Sequence, residues 1–340
     1  MTKKNFSFRC LSDPSKGFGN FKRCLSIAEL LKEKSYNITF FIDKNNSVID
    51  ELKKRNMSYF LIKSKISLSD EINFIYKTMI EIKSNYLIID MREYGESYSK
   101  KISNFNIISI LIDDAWCKSV YADIIFNGTM IKKYHQYKIK NKNAKIFTGS
   151  KYSTIQSEFR KYRKKLSEIH EKTTYDVTIS MGGSDPHNIS KKVLSAIYKI
   201  PNIRICLILG PFYNISNLEF FKILPSIKII TNSKNIWKIF QNSDLVISSG
   251  GTSLFELSVI RTPTIVITSS HHQIPYAKIF SSRGSVLYLG YWSQIKQYQI
   301  KASIQNILKN TKLRKQMYTK SKILDGKGLE RVIKILEKLS

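Results

Sequence analysis

Short β-branched runs alternate with longer amphipathic runs along most of the chain, a rhythm that predicts parallel strands joined by helices. In the first half the expected strands are Phe6 to Cys10, Ile38 to Ile42, Tyr59 to Ile62, Tyr86 to Asp90, Ile107 to Ile112 and Ile124 to Phe126. Between them, 21–34 sets Phe21, Cys24, Leu25, Ala28 and Leu31 on one helical face, and 69–83 also reads as helix. The second half repeats the scheme with strands at Val177 to Met181, Ile203 to Leu209, Ile227 to Ile230, Leu245 to Ser248 and Thr264 to Ile267.

Two doubly wound parallel sheets follow, and ligands of such sheets bind beyond the carboxyl ends of the strands. The run FRKYRKKLSEIHEKTTY at 159–175 is dense in charge and has no strand pattern, which suits a boundary. The expected division is therefore 1–155 for the first domain, 156–174 for a charged connection and 175–340 for the second, with the last helices free to cross back. The cleft between the two sheets is the first place to expect a ligand.

Composition narrows the class. The 340 residues are 42% hydrophobic and 12% aromatic, enough for two ordinary cores and unlike a disordered chain. No apolar run approaches the roughly 18 residues of a membrane helix, and the start enters a strand pattern without a secretory signal, so a cytoplasmic chain is expected. Cys10, Cys24, Cys117 and Cys206 stand apart with no CxxC pair, and the five histidines lack metal-ligand spacing. They read as reduced thiols and a metal-free, cofactor-free chain.

Charge points to anionic partners. Lys and Arg number 56 against 26 Asp and Glu, for a formal charge of +30. The lysines are dispersed and no nucleic-acid motif accompanies them, so no specific nucleic-acid site is expected. Weak peripheral attraction to the inner face of an anionic membrane fits better, as would a lipid-linked acceptor.

Three glycine turns carry the candidate chemistry. Gly17-Phe18-Gly19-Asn20 follows the first strand and opens the helix containing Arg23. Closely spaced glycines at such a turn let backbone N–H groups approach an anion or a polar substrate. The spacing is not GxGxxG, and apart from Asp43 no acid ends the second strand, so a dinucleotide is not expected. Ser180-Met181-Gly182-Gly183-Ser184-Asp185-Pro186 and Ser248-Ser249-Gly250-Gly251-Thr252-Ser253-Leu254-Phe255-Glu256 each follow a strand in the second half. Such helix starts suit a diphosphate, with Glu256 one turn further in to receive ribose hydroxyls. Ordinary strand-to-helix turns would read the same way.

In order along the chain, FRC…GFGNFKRCLSIAELL, YLIIDMREYG, LIDDAW, ADIIFNG, GSKYSTIQSEF, DVTISMGGSDPHN and SSGGTSLFEL resemble the UDP-sugar hydrolases of pseudaminic acid biosynthesis and their spore-coat polysaccharide relatives. More distantly they resemble the glycosyltransferases that add N-acetylglucosamine to the lipid-linked peptidoglycan precursor. The resemblance implies the GT-B architecture: two Rossmann-like α/β domains facing a cleft, UDP held by the second, no metal. It implies Gly182, Gly183, Ser184, Gly250, Gly251, Thr252 and Ser253 at the diphosphate and Glu256 at the ribose. Gly17, Gly19, Arg23, Asn127 and Tyr152 would lie on the sugar side or at the domain junction. Asn20, Asp90 and Tyr94 would be catalytic, with Met91 standing where the family has histidine.

One departure bears on the reaction. The family's loop reads GxGH, and that histidine is the expected water-activating base; this chain has Asn20. An amide cannot take a proton near neutrality, whereas imidazole can. General-base help is typically worth about 100- to 10,000-fold. The expectation is therefore a UDP-sugar-processing enzyme of bacterial surface-glycan synthesis that cleaves the sugar–diphosphate bond, leaning to glycosyl transfer onto a sugar or lipid-linked acceptor. A hydrolase with another base (Asp13, Asp90, Glu93, Asp113 or Asp114) and a silent UDP-sugar binder are the alternatives. His271 and His272, after the strand at 264–267, read first as loop residues.

Overall fold

The computed structural model describes residues 4–10, 19–91, 96–114, 119–163, 173–210, 212–231, 233 and 235–339. The chain divides into two compact units, residues 1–155 with 327–340, and residues 156–326.

In the first unit the elements run β1 (Asn5–Cys10), α1 (Gly19–Glu33), β2 (Asn37–Asp43), α2 (Asn46–Lys54), β3 (Ser58–Ile62), α3 (Leu68–Glu81), β4 (Tyr86–Asp90), α4 (Glu96–Ile102), β5 (Ile108–Ile112), β6 (Ser119–Val120), β7 (Ile124–Asn127), β8 (Lys138–Ile139) and β9 (Lys145–Thr148). Seven strands form one parallel sheet in the order β3-β2-β1-β4-β5-β7-β9. Both faces are covered, which is why the strands read as near-continuous apolar runs. Phe8, Phe40, Ile88 and Ile110 point into the core under α1. Phe41, Leu87, Ile89 and Leu111 point into the opposite core with Ile72 and Met79 of α3.

The second unit runs α5 (Ser157–Lys161), β10 (Tyr175–Ser180), α6 (Ile189–Ile197), β11 (Ile205–Leu209), α7 (Glu219–Lys222), β12 (Ile227–Thr231), α8 (Ile236–Gln241), β13 (Ser243–Ser248), α9 (Thr252–Ile260), β14 (Thr264–Thr268), α10 (Ile274–Ser282), β15 (Val286–Tyr291), α11 (Gln297–Lys309) and α12 (Thr311–Lys320). Its six strands are also all parallel, in the order β12-β11-β10-β13-β14-β15.

The last helix, α13 (Gly328–Glu337), belongs to the first unit, where Leu329, Val332, Ile333 and Leu336 fill the core beside α1. A close backbone approach fixes its start. A Cβ on Gly328 would stand 2.1 Å from the Ser153 carbonyl oxygen, and one on Gly128 would stand 2.6 Å from the Ser153 Cα, so both positions exclude any side chain. The preceding helices, α11 and α12, stay with the second unit, as does α5, and Arg163, two residues past α5, donates to the Val259 and Asp325 carbonyls.

Four strands escape the sequence pattern: β6 and β8, two residues each, form a small sheet of their own, and β9 and β15 lie at edges. β9 is a half-exposed edge strand set among lysines and asparagines, and β15 is an edge strand interrupted by Gly290 at φ +133 and by a register shift against β14. Edge strands bury one side only, so their apolar signal is thin. Residues 164–172, most of the charged connection, lie outside the described residues.

Candidate functional site

Each sheet reverses its strand order once, between β1 and β4 in the first unit and between β10 and β13 in the second. Such switch points are where open parallel sheets leave a crevice for ligands.

At the first, Cys10 pairs in register with Asp90, and α1 starts above them. Asp90 is 1% exposed. Arg23 grips it from both sides, Nε 2.6 Å from Oδ2 and Nη2 2.6 Å from Oδ1. Its remaining Nη1 reaches Oδ2 of Asp114 at 2.8 Å. Asn20 Nδ2 donates to Asp90 Oδ1 at 2.7 Å. Only the NH2 side of an amide can donate to a carboxylate, so this contact settles the orientation of Asn20 and leaves its Oδ1 outside the network.

Burial pushes the Asp90 carboxyl above its ordinary value, against the pull of Arg23 and Asn20. Burial also works against the charged guanidinium, yet Asp114 and Asp90 outweigh it and hold Arg23 firmly protonated. With both oxygens held by a bidentate partner, Asp90 serves as an anchor for Arg23 and Asn20. Gly19 opens α1. Gly17, Tyr94, Asp13 and Glu93, named as candidates from the sequence, lie outside the described residues.

Asn127, at the end of β7, is fully buried and spends its amide on the Tyr134 carbonyl at 2.9 Å and the Tyr137 hydroxyl at 2.6 Å. That hydroxyl in turn donates to Asp113 at 2.7 Å. Asn127 and Asp113 therefore brace the segment at 134–137 that follows β7. Tyr152 packs edge-on against Phe147, centroids 5.5 Å apart, and belongs to the apolar cluster under α13. Asp43 is taken up by Arg9, whose two terminal nitrogens each lie 3.1 Å from its oxygens, while Arg9 Nε holds Glu71 at 2.8 Å.

At the second switch point Ser180 pairs in register with Ser248, so the two glycine turns leave neighbouring strands. They are built differently. After β10, Gly182 takes φ +95, and Asp185 turns back to accept from the N–H groups of Ile189 and Ser190 at 2.9 and 2.8 Å. The start of α6 is thus already neutralised by a carboxylate. The backbone of Gly183 is crowded by Gly210, on which a Cβ would lie 2.3 Å from the Gly183 oxygen. Ser184 is half-buried in this turn.

After β13 the geometry is open. Gly251 is the N-cap of α9 and supplies no side-chain cap, so the first N–H groups of this helix keep their capacity for an anion. Thr252 is exposed, and Ser253 and Glu256 are half-buried; Glu256 lies one turn beyond Thr252 on the same face. Gly250 admits no side chain, since a Cβ would stand 2.8 Å from Gln273 Cβ. Gln273 Oε1 accepts from Gly250 N at 3.3 Å and from Ser269 N at 2.9 Å, tying the turn to the end of β14. Sequence reasoning missed Gln273, because a glutamine in a loop carries no signal until its partners are known.

Beside these turns, His271 stacks on Tyr291 with centroids 4.6 Å apart, and His187 stacks on Trp292 at 4.2 Å. Among the described residues, no cluster of three or more His, Cys, Asp or Glu side chains is placed to hold a metal. Cys10, Cys24 and Cys206 are buried free thiols; Cys117 lies outside the described residues.

Residues 146–334 match the glycosyltransferase family 28 C-terminal domain, more than half of the chain. The chain belongs to this family. Family 28 membership accords with two sheets of parallel strands, and MurG of Acinetobacter baumannii superposes with a TM-score of 0.69 over 99% of this chain and 100% of that one, at 11% identity. The architecture is GT-B.

Among curated relatives, the uncharacterized protein MJ1062 of Methanocaldococcus jannaschii is 31% identical over 76% of this chain. The family 28 chain described here spans about half of that protein, 54% of its length. The spore coat polysaccharide biosynthesis protein SpsG of Bacillus subtilis is 25% identical over 95% of both chains. The UDP-2,4-diacetamido-2,4,6-trideoxy-beta-L-altropyranose hydrolase of Campylobacter jejuni is 27% identical over 75% of this chain and 88% of that enzyme.

Proposed function

We propose that this chain is a UDP-sugar-processing enzyme of surface-glycan biosynthesis, cleaving the bond between sugar and diphosphate and passing the sugar to an acceptor. The sugar nucleotide class is supported by the Campylobacter relative, whose name gives a UDP-linked amino sugar as its substrate. The pathway class is supported by that relative and by SpsG.

In this reading UDP lies on the second unit. Its diphosphate meets the uncapped start of α9 at Gly251, Thr252 and Ser253, with Glu256 receiving the ribose hydroxyls. Charge that develops on the departing diphosphate is met by N–H groups and the helix terminus, which needs no metal. The turn at Gly182-Gly183-Ser184 contributes backbone alongside; the α6 start itself is closed by Asp185.

The observation that carries transfer over hydrolysis is the Asn20–Asp90 contact. Asn20 presents an amide oxygen that accepts a hydrogen bond from a hydroxyl and takes no proton, so it orients an acceptor without activating water. Asp90 and Arg23 act as positioning residues. Hydrolysis is the second reading, favoured by the 27% identity to a hydrolase.

The test is incubation with a panel of UDP-sugars, with and without sugar or lipid-linked acceptors, following UDP and sugar products by mass. Transfer predicts UDP release that depends on acceptor. Free sugar formed at full rate without acceptor assigns hydrolysis instead, and UDP affinity without any release assigns a silent binder.

A further inference from the structure

The second unit carries an exposed apolar tip far from its glycine turns. Ile223 is 76% exposed and Phe220 55%. Phe220 and Ile223 are three residues apart on the α7 turn and so share a face. The tip is held rigidly from below: Phe220 packs edge-on against Tyr198 at 5.6 Å and against Phe221 at 5.3 Å, and Phe221 is buried in the core.

Its place in the fold follows from the topology. α6 and α7 return from the carboxyl edge of the sheet, so Tyr198 at the end of α6 and 223–226 leading into β12 lie at the amino edge. The glycine turns leave the opposite edge. A partner on this tip leaves the nucleotide turns open.

The surroundings select the partner. Glu219 is the sole carboxylate between Asp185 and Asp244, a stretch with eight Lys and Arg residues. Lys199 and Lys222 are exposed beside the tip; Lys199 Nζ lies 5.5 Å from the Tyr198 ring centroid. Lys222 ion-pairs with Glu219 at 2.5 Å, which neutralises the one acid present. Aromatic and aliphatic side chains flanked by lysines match an anionic bilayer surface, where the apolar groups enter the headgroup boundary and the lysines meet lipid phosphates. A second copy of the chain would bring the same positive lobe against itself. A few side chains also fall far short of the roughly 800 Å² per partner of a stable protein interface.

We propose that the Phe220–Ile223 tip with its flanking lysines docks this protein on anionic phospholipid membranes. The experiment is co-sedimentation of the full chain with vesicles of phosphatidylcholine alone and of phosphatidylcholine with about 30 mol% phosphatidylglycerol, at low and high salt. Wild type should partition onto the anionic vesicles alone and be released as salt screens the lysines. Phe220→Asp with Ile223→Asp should lower that partition at least about tenfold, and Lys199→Glu with Lys222→Gln should do the same, each with an unchanged melting temperature, because all four side chains are exposed.

Equal partition onto both vesicle types, no partition, or unaltered partition of both double variants overturns the proposal. So does a dimer in sedimentation velocity without lipid that the Asp variants abolish. The partition is read without substrate, so it stands or falls apart from the enzymatic reading.

Discussion

Asn20 Nδ2 lies 2.7 Å from Oδ1 of Asp90, and that carboxylate is at the same time held along one edge of the Arg23 guanidinium, by Nε and Nη2. The side chain at position 20 is therefore fixed by the carboxyl end of β4 before any substrate arrives. Its chemistry, an oriented acceptor without a titratable proton, follows from that anchor.

Replacing the amide by an imidazole should change the reaction. Asn20→His is expected to raise acceptor-independent sugar release from the UDP-sugar that wild type uses by one to three orders of magnitude, roughly the reach of general-base help. Rates measured with and without acceptor check this. Wild-type and Asn20→Ala enzymes releasing free sugar equally fast would show that position 20 does not separate transfer from hydrolysis.

Arg23 is the countercharge for a buried carboxylate. Arg23→Met should cost about 3–5 kcal/mol in urea denaturation near neutral pH, because Asp90 is left buried and unpaired. The pH dependence has a definite sign. A carboxyl whose folded-state pKa lies above its unfolded value loses stability as pH rises through the folded value and is relieved below it. Removing Arg23 raises the Asp90 value further, so the deficit of the variant should shrink on acidification from neutrality. A deficit that stays constant or grows would contradict the burial-driven shift.

The two glycine turns should respond differently to a methyl group. Gly210→Ala presses a Cβ onto the Gly183 backbone and should destabilise the second unit by about 1–3 kcal/mol, read as a fall in melting temperature. At Gly251 the nearest atoms to an added Cβ are 3.6 and 3.7 Å away and φ is −87, so Gly251→Ala should fold normally. Its cost should appear in calorimetry as weaker binding of UDP, since the methyl stands beside the proposed diphosphate position.

Capping and bracing can be separated in the same way. Asp185→Ala removes the carboxylate that accepts from Ile189 and Ser190 and should cost about 0.5–2 kcal/mol of stability with a small effect on UDP affinity. Gln273→Leu frees the Gly250 and Ser269 N–H groups and should weaken UDP binding about tenfold, near the 1–3 kcal/mol of unsatisfied buried donors. The reverse ranking of UDP affinities would place the diphosphate at α6 instead of α9.

The apolar rhythm alone determined most of the strands and their parallel pairing, because strands covered on both faces, such as Phe40 to Ile42 and Ile205 to Leu209, cannot be mistaken for alternating ones. Edge strands β9 and β15 were not legible there, since half of β9 is exposed and β15 is interrupted by Gly290 and a register shift. The glycine turns were visible as turns, but sequence assigned the same chemistry to both. Asp185 closes the start of α6 from only four and five residues away while α9 stays uncapped, and which of the polar side chains near each start turns onto the helix shows only in the folded chain. The same holds for Asn20 with Asp90, 70 residues apart, and for α13 returning to Ser153 through Gly328. Hydrophobic period is a local property and survives in the linear text; hydrogen-bond partners and backbone contacts across such separations exist only once the sheets have set their register.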